Sequence, residues 1–504
     1  MDRQPQQQPS PAQSQPLDIL ILAAGLGTRM RSSTAKVLHK LGGRPLIAHV
    51  CRTASALVKG ERPVYVVVGH QAEEVKEAVR AELGEGGAVF VTQTEQRGTG
   101  DAVFAARAEL GGADSTLLVL SGDVPLVRAE TLGSLVHQHR THRGRGAACT
   151  LMAVRLEDPT GYGRVVRDEE GRFQKIVEQK DASADERQIG EVNAGIYCFE
   201  TRLLFPALER VKPENAQGEF YLTDVPAILR ADGEDVSVYT HPDAREVSGI
   251  NTRVELADFE RLLRLRTLRS LMLNSGVTVI DPQHTYVSPD AQIGRDTTLH
   301  PNVHVEGRTV IGEGCEIGQG SRISDSRVGN GVTVKDHCVI VDSEVADGCV
   351  VGPFAHLRMN ARMEQGAHVG NFVEMKKSRL GAKSKANHLT YLGDAEVGER
   401  TNIGAGTITC NYDGKNKHPT TIEHDVKIGS DTMLVAPVRV GARSVTGAGS
   451  VVTEDVEPDT LVAGVPAKVK RKLLREEESA DRPAAESKSD DAGEPVAAAG
   501  GDER

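Results

Sequence analysis

Two glycines separated by a single residue follow an apolar segment near the start of the chain. Residues 17–22 are typical of a buried strand, and Gly25-Leu26-Gly27-Thr28-Arg29 comes shortly after them. The backbone amides of such a turn can surround a phosphate group. A dinucleotide-binding turn would need a third glycine where Met30 stands, and a P-loop would need a terminal Gly-Lys-Ser/Thr, which this segment lacks. The turn therefore indicates phosphate binding of another kind.

Three charged residues belong with this turn. Arg29 ends it, Lys36 follows seven residues later, and Asp123 comes directly after an apolar segment at residues 116–120. The two cations can neutralise a pyrophosphate leaving group, and a carboxylate oxygen suits a hard ion such as Mg²⁺. Each residue also has a simpler interpretation, since surface lysines are mostly solvated and an aspartate after a strand often only caps a turn.

A second set of polar residues interrupts the C-terminal half of the chain, at residues 370–378, 385–394 and 409–414. His388 lies in the second of these segments, close to several lysines. An imidazole, with an ordinary pKa of about 6.5, suits the task of freeing the lone pair of an amine. A histidine chosen at random is more often structural or solvent-facing. The cationic breaks in an otherwise aliphatic pattern favour the catalytic interpretation here.

The elements that position the first set of residues alternate between strand and helix. The apolar pattern predicts strands at residues 17–22, 64–68, 88–92 and 116–120, with helices at 45–57 and 72–83. This alternation predicts an α/β, Rossmann-like domain with a mainly parallel sheet and ligands at the carboxyl ends of its strands. Residues 252–273 read as one long helix, in which Thr252 and Glu255 can form a capping box.

The second set interrupts a repeat of six residues. Small aliphatic residues recur at Ile293, Leu299, Val305, Ile311, Ile317 and Ile323, and the repeat continues with single-residue slips to Val451. Neither a helix nor an ordinary strand has this period. It predicts a left-handed parallel β-helix, in which polar insertions mark the binding face.

Composition limits the class of protein. The net charge is −11, but residues 476–504 alone contribute ten acidic and three basic side chains, or −7, which leaves −4 for the rest. That tail and the Gln/Pro-rich start lack the apolar content to fold. Seven scattered cysteines without a C-x-x-C pair, and no signal peptide or long apolar run, predict a cytoplasmic protein that does not span a membrane.

Several ordered motifs resemble those of sugar-nucleotide pyrophosphorylases. They are Leu22-Ala23-Ala24-Gly25-Leu26-Gly27-Thr28-Arg29-Met30 with Lys36-Val37-Leu38, Gln93-Thr94-Glu95-Gln96-Arg97-Gly98-Thr99-Gly100, Gly122-Asp123-Val124-Pro125, Asp158-Pro159-Thr160-Gly161-Tyr162-Gly163-Arg164 and Glu191-Val192-Asn193-Ala194-Gly195. Together with the hexad repeat and its polar breaks, they make residues 17–470 resemble the bacterial family of bifunctional N-acetylglucosamine-1-phosphate uridylyltransferase/glucosamine-1-phosphate acetyltransferases. The two tails lie outside the resemblance.

The resemblance implies roles for residues of the N-terminal half. Arg29 and Lys36 would act on the triphosphate, while Asp123 and Asn251 would share Mg²⁺. The residues that would line the nucleotide and the sugar are Leu22, Ala23, Ala24, Gly25, Lys36, Gln93, Gly98, Thr99, Gly163, Glu178, Asn193 and Asn251. Both Asn251 and Glu178 also have a simpler interpretation. Asn251 could be only a neighbour of the helix N-cap, and Glu178 could be a surface acid that faces Lys180.

The resemblance also implies an acetyltransferase site in the C-terminal half, with His388 as its base. The residues that would contact the sugar phosphate or acetyl-CoA are Arg358, Lys376, Tyr391, Asn402, Ala405, Asn411, Tyr412, Ser430 and Ala448. The implied substrates are glucosamine 1-phosphate with acetyl-CoA, then N-acetylglucosamine 1-phosphate with UTP. The product, UDP-N-acetylglucosamine, would serve synthesis of the cell wall, and the protein would be a homotrimer.

One departure concerns the end of the repeat. Relatives can place an arginine after the last coil to meet the phosphates of CoA, whereas this chain has Val465 there. Four nearby cations could replace this arginine: Lys468, Lys470, Arg471 and Lys472. It is equally possible on the sequence alone that they are only the solvated, basic start of a helix. Nucleic-acid binding is not expected, because no aromatic residues accompany these cations.

The expected organisation is a disordered tail at 1–16, a uridylyltransferase domain at 17–251, a linker helix at 252–275, a β-helix at 276–470 and an acidic disordered tail at 471–504. Two other functions remain open on the sequence alone. One is a single-activity sugar nucleotidylyltransferase whose coil only oligomerises, and the other is a non-enzymatic regulatory subunit.

Overall fold

The computed structural model describes residues 15–473 of the chain. These residues form two compact units. The first consists of residues up to Ser270 together with Val287–Pro289, and the second of Leu271–Tyr286 and the residues from Asp290 onward.

A mixed sheet forms the centre of the first unit. Its strands are β1 (Leu17–Leu22), β4 (Val64–Val68), β5 (Ala88–Thr92), β6 (Thr116–Ser121), β7 (Cys149–Arg155), β8 (Arg164–Arg167), β9 (Phe173–Val177), β10 (Glu191–Glu200) and β11 (Val236–Thr240), while β2 (Lys40–Leu41) and β3 (Arg44–Pro45) pair separately. The order across the sheet is β11-β7-β10-β6-β1-β4-β5. The expectation of a mainly parallel sheet holds for β5, β4, β1 and β6, but β10 lies antiparallel to both of its neighbours β6 and β7.

Helices cover both faces of this sheet. They are α1 (Leu46–Leu57), α2 (Ala72–Leu83), α3 (Thr99–Phe104), α4 (Arg107–Leu110), α5 (Ala129–Thr141), α6 (Thr201–Leu208), α7 (Val225–Ala231) and α8 (Ala244–Val247). Alternate side chains of β1 enter different cores, since Leu20 packs into one apolar cluster while Ile19 and Ile21 pack into another. A strand buried on both faces needs a continuous aliphatic run, which explains the pattern of residues 17–22.

The long helix α9 (Arg253–Ser270) closes the first unit. The predicted capping box is present, because Thr252 Oγ1 accepts the N–H of Glu255 at 3.2 Å and Glu255 Oε2 accepts the N–H of Thr252 at 2.9 Å. The α-helix ends three residues earlier than predicted, and a π-helical turn, Leu271–Ser275, continues it.

The second unit is a β-helix with three parallel sheets. The first coil sheet contains Thr278–Val279, Thr298–Leu299, Glu316–Ile317, Thr333–Val334, Val350–Val351, His368–Asn371, Lys385–His388, Asn402–Ile403, Lys427–Ile428, Val445–Thr446, Thr460–Ala463 and Lys468–Lys472. The second contains Tyr286–Val287, His304–Glu306, Arg322–Ser324, Val339–Val341, His356–Arg358, Glu374–Lys376, Tyr391–Gly393, Ile408–Cys410, Met433–Val435 and Val451–Val452. The third contains Gln292–Ile293, Val310–Ile311, Arg327–Val328, Glu344–Val345, Arg362–Met363, Arg379–Leu380, Ala395–Val397, Thr420–Ile422 and Val438–Val440.

The hexad residues form the core of this coil, as the period predicts. Leu299, Ile317 and Val334 follow one another in the first coil sheet, and each is at most 1% exposed. The predicted left-handed parallel β-helix is confirmed.

Both ends of the folded region extend slightly beyond the expected domains. Pro16 accepts the N–H of Thr116 at 3.0 Å, so residues 15 and 16 are ordered against β6. Lys468–Lys472 is a strand that pairs antiparallel with Thr460–Ala463, which corrects the reading of a helix start and moves the end of the fold past residue 470. The remainder of the two predicted tails, 1–14 and 474–504, lies outside the described residues.

Among residues 15–473, no helix combines the length and the apolar character needed to cross a membrane.

Candidate active sites

A cavity of about 440 Å³ opens at the carboxyl ends of β1, β5 and β6. The strand order brings together turns that are far apart along the chain, because parallel strands end at the same edge of a sheet. The predicted residues that line this cavity are Leu22, Ala23, Ala24, Gly25, Lys36, Gln93, Gly98, Thr99 and Asp123.

Lys36 lies at the centre of a polar cluster in this cavity. Its ammonium contacts the carboxylate of Asp123 and donates to Asn251 Oδ1 at 3.0 Å. Arg29 Nη2 donates to the same amide oxygen at 2.8 Å. Asp123 is only 6% exposed, and its other oxygen accepts the hydroxyl of Ser121 at 2.6 Å. All four predicted polar residues therefore meet at one point.

The glycine-rich turn owes its shape to Gly27. This residue has a φ of +62°, and a Cβ placed on it would lie 2.4 Å from Cβ of Lys36. Any side chain would displace Lys36 from the cluster. Gly25, two residues earlier, is different: a Cβ placed on it would meet no other atom within 4 Å. The turn is therefore open at Gly25, as a turn that contacts a ligand requires.

Gln93 is fixed from the far side of the cavity. Its amide nitrogen donates to Asp101 Oδ2 at 2.8 Å and to the carbonyl of Gly98 at 3.3 Å. Thr99 Oγ1 accepts the N–H of Leu222 at 3.1 Å. These contacts hold the side chain of Gln93 at the wall of the cavity.

Gly163, Glu178 and Asn193 form a separate group that does not line the cavity. The carbonyl of Gly163 accepts the N–H of Asn193 at 2.9 Å, and Glu178 Oε1 lies 3.2 Å from the position of a Cβ on Gly163. Burial raises the pKa of Glu178, and the hydroxyl of Thr223, 3.3 Å away, opposes this shift. The alternative of a salt bridge with Lys180 is not observed, because Lys180 donates to Gln217 at 2.6 Å.

His388, the predicted base of the second set, is exposed. It lies at the end of Lys385–His388, and its Nδ1 is 2.6 Å from Oδ1 of Asn371 on the neighbouring strand. The ring is not packed in the aliphatic interior of the coil. Its other nitrogen, Nε2, makes no hydrogen bond or ion pair with another side chain of residues 15–473 and is available for chemistry.

Two predicted cations lie side by side on the second coil sheet. Arg358 is directly opposite Lys376 in the strand register, and Lys376 is opposite Gly393. Arg358 Nε donates to Glu374 Oε1 at 2.7 Å. The ammonium of Lys417 is the main cause that lowers the pKa of Lys376, followed by burial. Three cations thus converge where an anion would be bound.

The insert after Ile408–Cys410 is a short hairpin closed by a bridge between Tyr412 and Lys417. Asp413 accepts the N–H groups of Lys415 and Asn416 at 2.8 and 2.7 Å and contacts His418 Nε2 at 2.7 Å. These bonds hold the pKa of Asp413 far below its usual range.

Predicted residues on both sides of this hairpin differ in exposure. Asn411 is buried and donates to Asp394 Oδ2 at 2.6 Å, whereas Tyr412 is 60% exposed. Tyr391 is half-buried, and its backbone pairs with Glu374. Asn402 is exposed on the strand after that of His388.

Three further predicted residues continue from His388 along one corner of the coil. The carbonyl of His388 accepts the N–H of Gly406, that of Ala405 accepts Asp431, and that of Ser430 accepts Gly449, at 3.4, 2.7 and 2.8 Å. Ala448 precedes Gly449 on the last of these turns. His388, Ala405, Ser430 and Ala448 therefore form a column parallel to the coil axis, which suits an extended ligand.

The basic strand Lys468–Lys472 lies at the end of the same sheet as His388. Lys472 Nζ donates to Thr460 Oγ1 at 2.8 Å, while Lys468, Lys470 and Arg471 are exposed.

Sequence reasoning did not single out Ser121, Gln96 or Lys417. Ser121 supports Asp123, Gln96 lines the cavity and donates to the carbonyl of Ala24 at 2.7 Å, and Lys417 joins Lys376. Ser121 directly precedes the motif Gly122-Asp123-Val124-Pro125, so its position in the sequence could have indicated its role. Lys417 carries no local signal, because only the folded hairpin brings it to Lys376.

A nucleotidyltransferase unit followed by a left-handed β-helix is the class of protein that this fold and these sites define. A nucleotidyl transferase family model matches residues 19–243, and a model of the GMPPB C-terminal domain matches residues 281–373. Bifunctional protein GlmU from Heliobacterium modesticaldum is 49% identical over 442 residues, which cover 88% of this chain and 94% of the relative. The same-named proteins of Geobacillus sp. and Pelobacter propionicus are 47% and 48% identical over 88% and 90% of the chain, and over 94% and 97% of their own lengths.

The chain belongs to the family of bifunctional GlmU proteins. The predicted bifunctional enzyme of UDP-N-acetylglucosamine synthesis is confirmed, together with its nucleotidyltransferase and acetyltransferase activities. The matches extend over both units, so the alternatives of a single-activity enzyme with a purely structural coil and of a regulatory subunit are set aside.

Proposed function

We propose that the cavity at the carboxyl ends of β1, β5 and β6 binds UTP and transfers its uridylyl group to N-acetylglucosamine 1-phosphate. A phosphate oxygen of the sugar attacks the α-phosphorus, the new P–O bond forms, and the bond to pyrophosphate breaks. Two features support this assignment: nine predicted residues line one cavity, and its polar cluster contains two cations that suit a pyrophosphate leaving group.

Arg29 and Lys36 perform the charge neutralisation in this step. Both contact the amide oxygen of Asn251 in the structure, and on substrate binding their positive charges turn to the phosphates. The turn at Gly25 and Gly27 supplies backbone amides beside them. Gln93 and Thr99 contact the uridine side, while Glu178 and Asn193 accept and donate hydrogen bonds to the N-acetylated sugar.

Asp123 and Asn251 are the residues that would hold Mg²⁺. Their oxygens converge on one ammonium, that of Lys36, so they already surround a position suited to a positive charge. The substrate phosphates and water would complete the coordination. When bound, Mg²⁺ supplies further neutralisation of phosphate charge.

The coil performs the acetyl transfer in this proposal. The amine of glucosamine 1-phosphate attacks the thioester carbonyl of acetyl-CoA, forming a C–N bond as the C–S bond breaks. His388 Nε2 accepts a proton from the amine, and this proton passes to the departing CoA sulfur, so that CoA leaves as its thiol. Arg358 and Lys376 hold the sugar phosphate, with Tyr391, Asn402 and Asn411 around the sugar.

Acetyl-CoA extends along the column that begins at His388. Ala405, Ser430 and Ala448 offer small side chains on successive coils, and Tyr412 projects from the hairpin beside them. The exposed cations Lys468, Lys470 and Arg471 take the place of the missing arginine near Val465 and face the phosphates of CoA.

The proposal includes a homotrimer in the cytoplasm, where UTP and acetyl-CoA are made. Phe354, Phe372 and Leu389 are exposed on the corner that carries His388, and the rings of Phe354 and Phe372 stack at 5.3 Å. An exposed apolar ridge of this kind is suited to burial against a second copy of the chain.

Two substitutions test the division of labour. His388→Ala is expected to lower the acetyl-transfer kcat by about 100-fold or more, because the proton acceptor is lost, and to leave uridylyl transfer unchanged. Asp123→Ala is expected to abolish uridylyl transfer while acetyl transfer continues. Both activities are measured on each variant with purified substrates.

His424→Ala and Asp114→Ala are matched controls, since both residues are polar and lie outside the two sites. Each control should retain both activities. Full acetyl transfer by His388→Ala, or full uridylyl transfer by Asp123→Ala, would remove that residue from the proposed chemistry.

A further inference from the structure

Two strands of the first coil sheet are longer than their neighbours beside the proposed acetyltransferase site. His368–Asn371 and Lys385–His388 have four residues each, whereas Val350–Val351 before them and Asn402–Ile403 after them have two. The additional residues continue the parallel pairing into the corner, where Asn371 lies opposite His388. The lengthening therefore brings these two side chains together.

Gly370 permits this close pairing. A Cβ at this position would lie 2.0 Å from the carbonyl oxygen of Asn387 and 2.6 Å from its carbonyl carbon. Both are backbone atoms, so a side chain at residue 370 would force the two strands apart. The glycine thus supports the approach of Asn371 to His388.

The contact between the two side chains is short and polar. Asn371 Oδ1 lies 2.6 Å from His388 Nδ1. An amide oxygen only accepts hydrogen bonds, so Nδ1 carries the hydrogen and the lone pair of the neutral ring resides on Nε2. We propose that Asn371 is a positioning residue that fixes this tautomer and orients Nε2 of His388 toward the substrate amine. This inference rests on the proposed role of His388 as the base.

The side chain that accepts the Nδ1 hydrogen of His388 is neutral. On the strands 368–371, 385–388 and 402–403, the ionisable side chains besides His388 are His368 and Lys385. Neither of them is a carboxylate. Asn371 therefore orients the ring through a neutral acceptor, without the negative charge that an aspartate would place beside it.

Replacing Asn371 by alanine tests the orientation. We expect the acetyl-transfer kcat of Asn371→Ala to fall about 10-fold to 100-fold with little change in KM, the size of loss seen when a partner that orients a functional imidazole is removed. In ¹⁵N-histidine NMR spectra of the full chain, His388 should show the Nδ1–H tautomer in the wild type and a mixture of tautomers in the variant. An unchanged kcat or an unchanged tautomer overturns the proposal.

Replacing Asn371 by aspartate tests the effect of charge. The carboxylate still accepts from Nδ1, so Asn371→Asp should recover most of the lost kcat at high pH. The acid limb of its pH–rate profile should move to higher pH by about one unit, because an adjacent negative charge favours the protonated ring. If Asn371 had only a structural role, Asn371→Ala and Asn371→Asp would lose the same share of kcat, and the pH–rate profile would not move. That result would also overturn the proposal.

Asn330→Ala is the matched control. Asn330 Oδ1 accepts the N–H of Glu313 at 2.9 Å at another corner of the coil, so its loss removes a structural acceptor only. The rate of uridylyl transfer and the melting temperature, measured for each variant, show whether the chain is folded. Acetylation that survives in His388→Ala would refute the proposed base, while the tautomer measured by NMR would still decide the role of Asn371.

Discussion

Charged side chains in both candidate sites pair with one another. At the nucleotide site, the ammonium of Lys36 contacts Asp123 and Asn251, and at the acetyl site Arg358 bonds to Glu374. A buried carboxylate such as Asp123 is costly without a partner. In the proposed mechanism, substrate binding exchanges these contacts for contacts with phosphate.

Glu178 provides a residue-scale prediction that depends on pH. Burial raises its pKa, so it becomes protonated at a higher pH than an exposed glutamate. In its proposed role, the protonated carboxyl would accept fewer hydrogen bonds from the sugar hydroxyls. We expect KM for N-acetylglucosamine 1-phosphate to rise as pH falls from about 8 to about 5. In Glu178→Gln, KM should be higher throughout and nearly independent of pH in this range.

Steady-state uridylyl-transfer kinetics measure both curves. The exposed Glu169→Gln serves as control and should follow the wild type. If wild type and Glu178→Gln show parallel dependence on pH, another group titrates and Glu178 is not the sugar's acceptor.

At the scale of elements, buried hydroxyls tie successive coils together. Ser321 Oγ donates to the carbonyl of Lys335 at 2.9 Å and accepts the N–H of Cys338 at 3.1 Å, and Thr401 joins Glu423 and Val426 in the same way. Each such residue satisfies backbone groups at a corner where the strand ladder ends. The coil therefore depends on small polar residues within its interior as well as on its aliphatic hexads.

Ser321→Ala tests this role far from either site. Two buried backbone groups lose their partner, so we expect the free energy of unfolding of the coil to fall by about 2 kcal/mol. This loss corresponds to a decrease of about 4–8 °C in Tm, measured by calorimetry, with both activities retained at low temperature.

Ser324→Ala is the control for this substitution, because the hydroxyl of Ser324 contacts only the exposed Asp325. Its Tm should change little. Equal melting temperatures for the two variants would show that the buried hydroxyl contributes nothing to the stability of the coil.

At the scale of the whole molecule, the two compact units have separate cores. The sheet of the first unit is buried between apolar clusters of its own helices, and the hexad residues of the second unit pack within the coil. Each proposed site uses residues of one unit only: 22–251 for the nucleotide and 358–448 for acetyl transfer. Such an arrangement allows each unit to be selected for its own chemistry.

Division of the chain near Gly276 tests this independence. We expect fragment 1–275 to retain uridylyl transfer and fragment 276–504 to retain acetyl transfer, because neither site borrows residues from the other unit. Sedimentation should give the second fragment three times its own mass, as the proposed trimer requires. Fragments that fold, as judged by circular dichroism, yet lack both activities would contradict the assignment of separate sites.

The sequence by itself determined those features that are written in local patterns. The bounds of β1, β4, β5 and α2, the capping box of α9 and the inward hexads followed directly, because each reflects a period or a cap within a few residues. The quoted motifs also located the residues around the nucleotide cavity, since the carboxyl ends of parallel strands converge.

The tertiary structure decided what depends on residues distant along the chain. The antiparallel insertion of β10, the approach of Lys417 to Lys376 and the pairing of Asn371 with His388 have no local signature. The basic strand at Lys468 is a strand only because Thr460–Ala463 offers it an edge to pair with. Long-range pairing supplies the hydrogen bonds and neighbouring charges that these segments lack on their own, and it therefore sets the geometry of both sites.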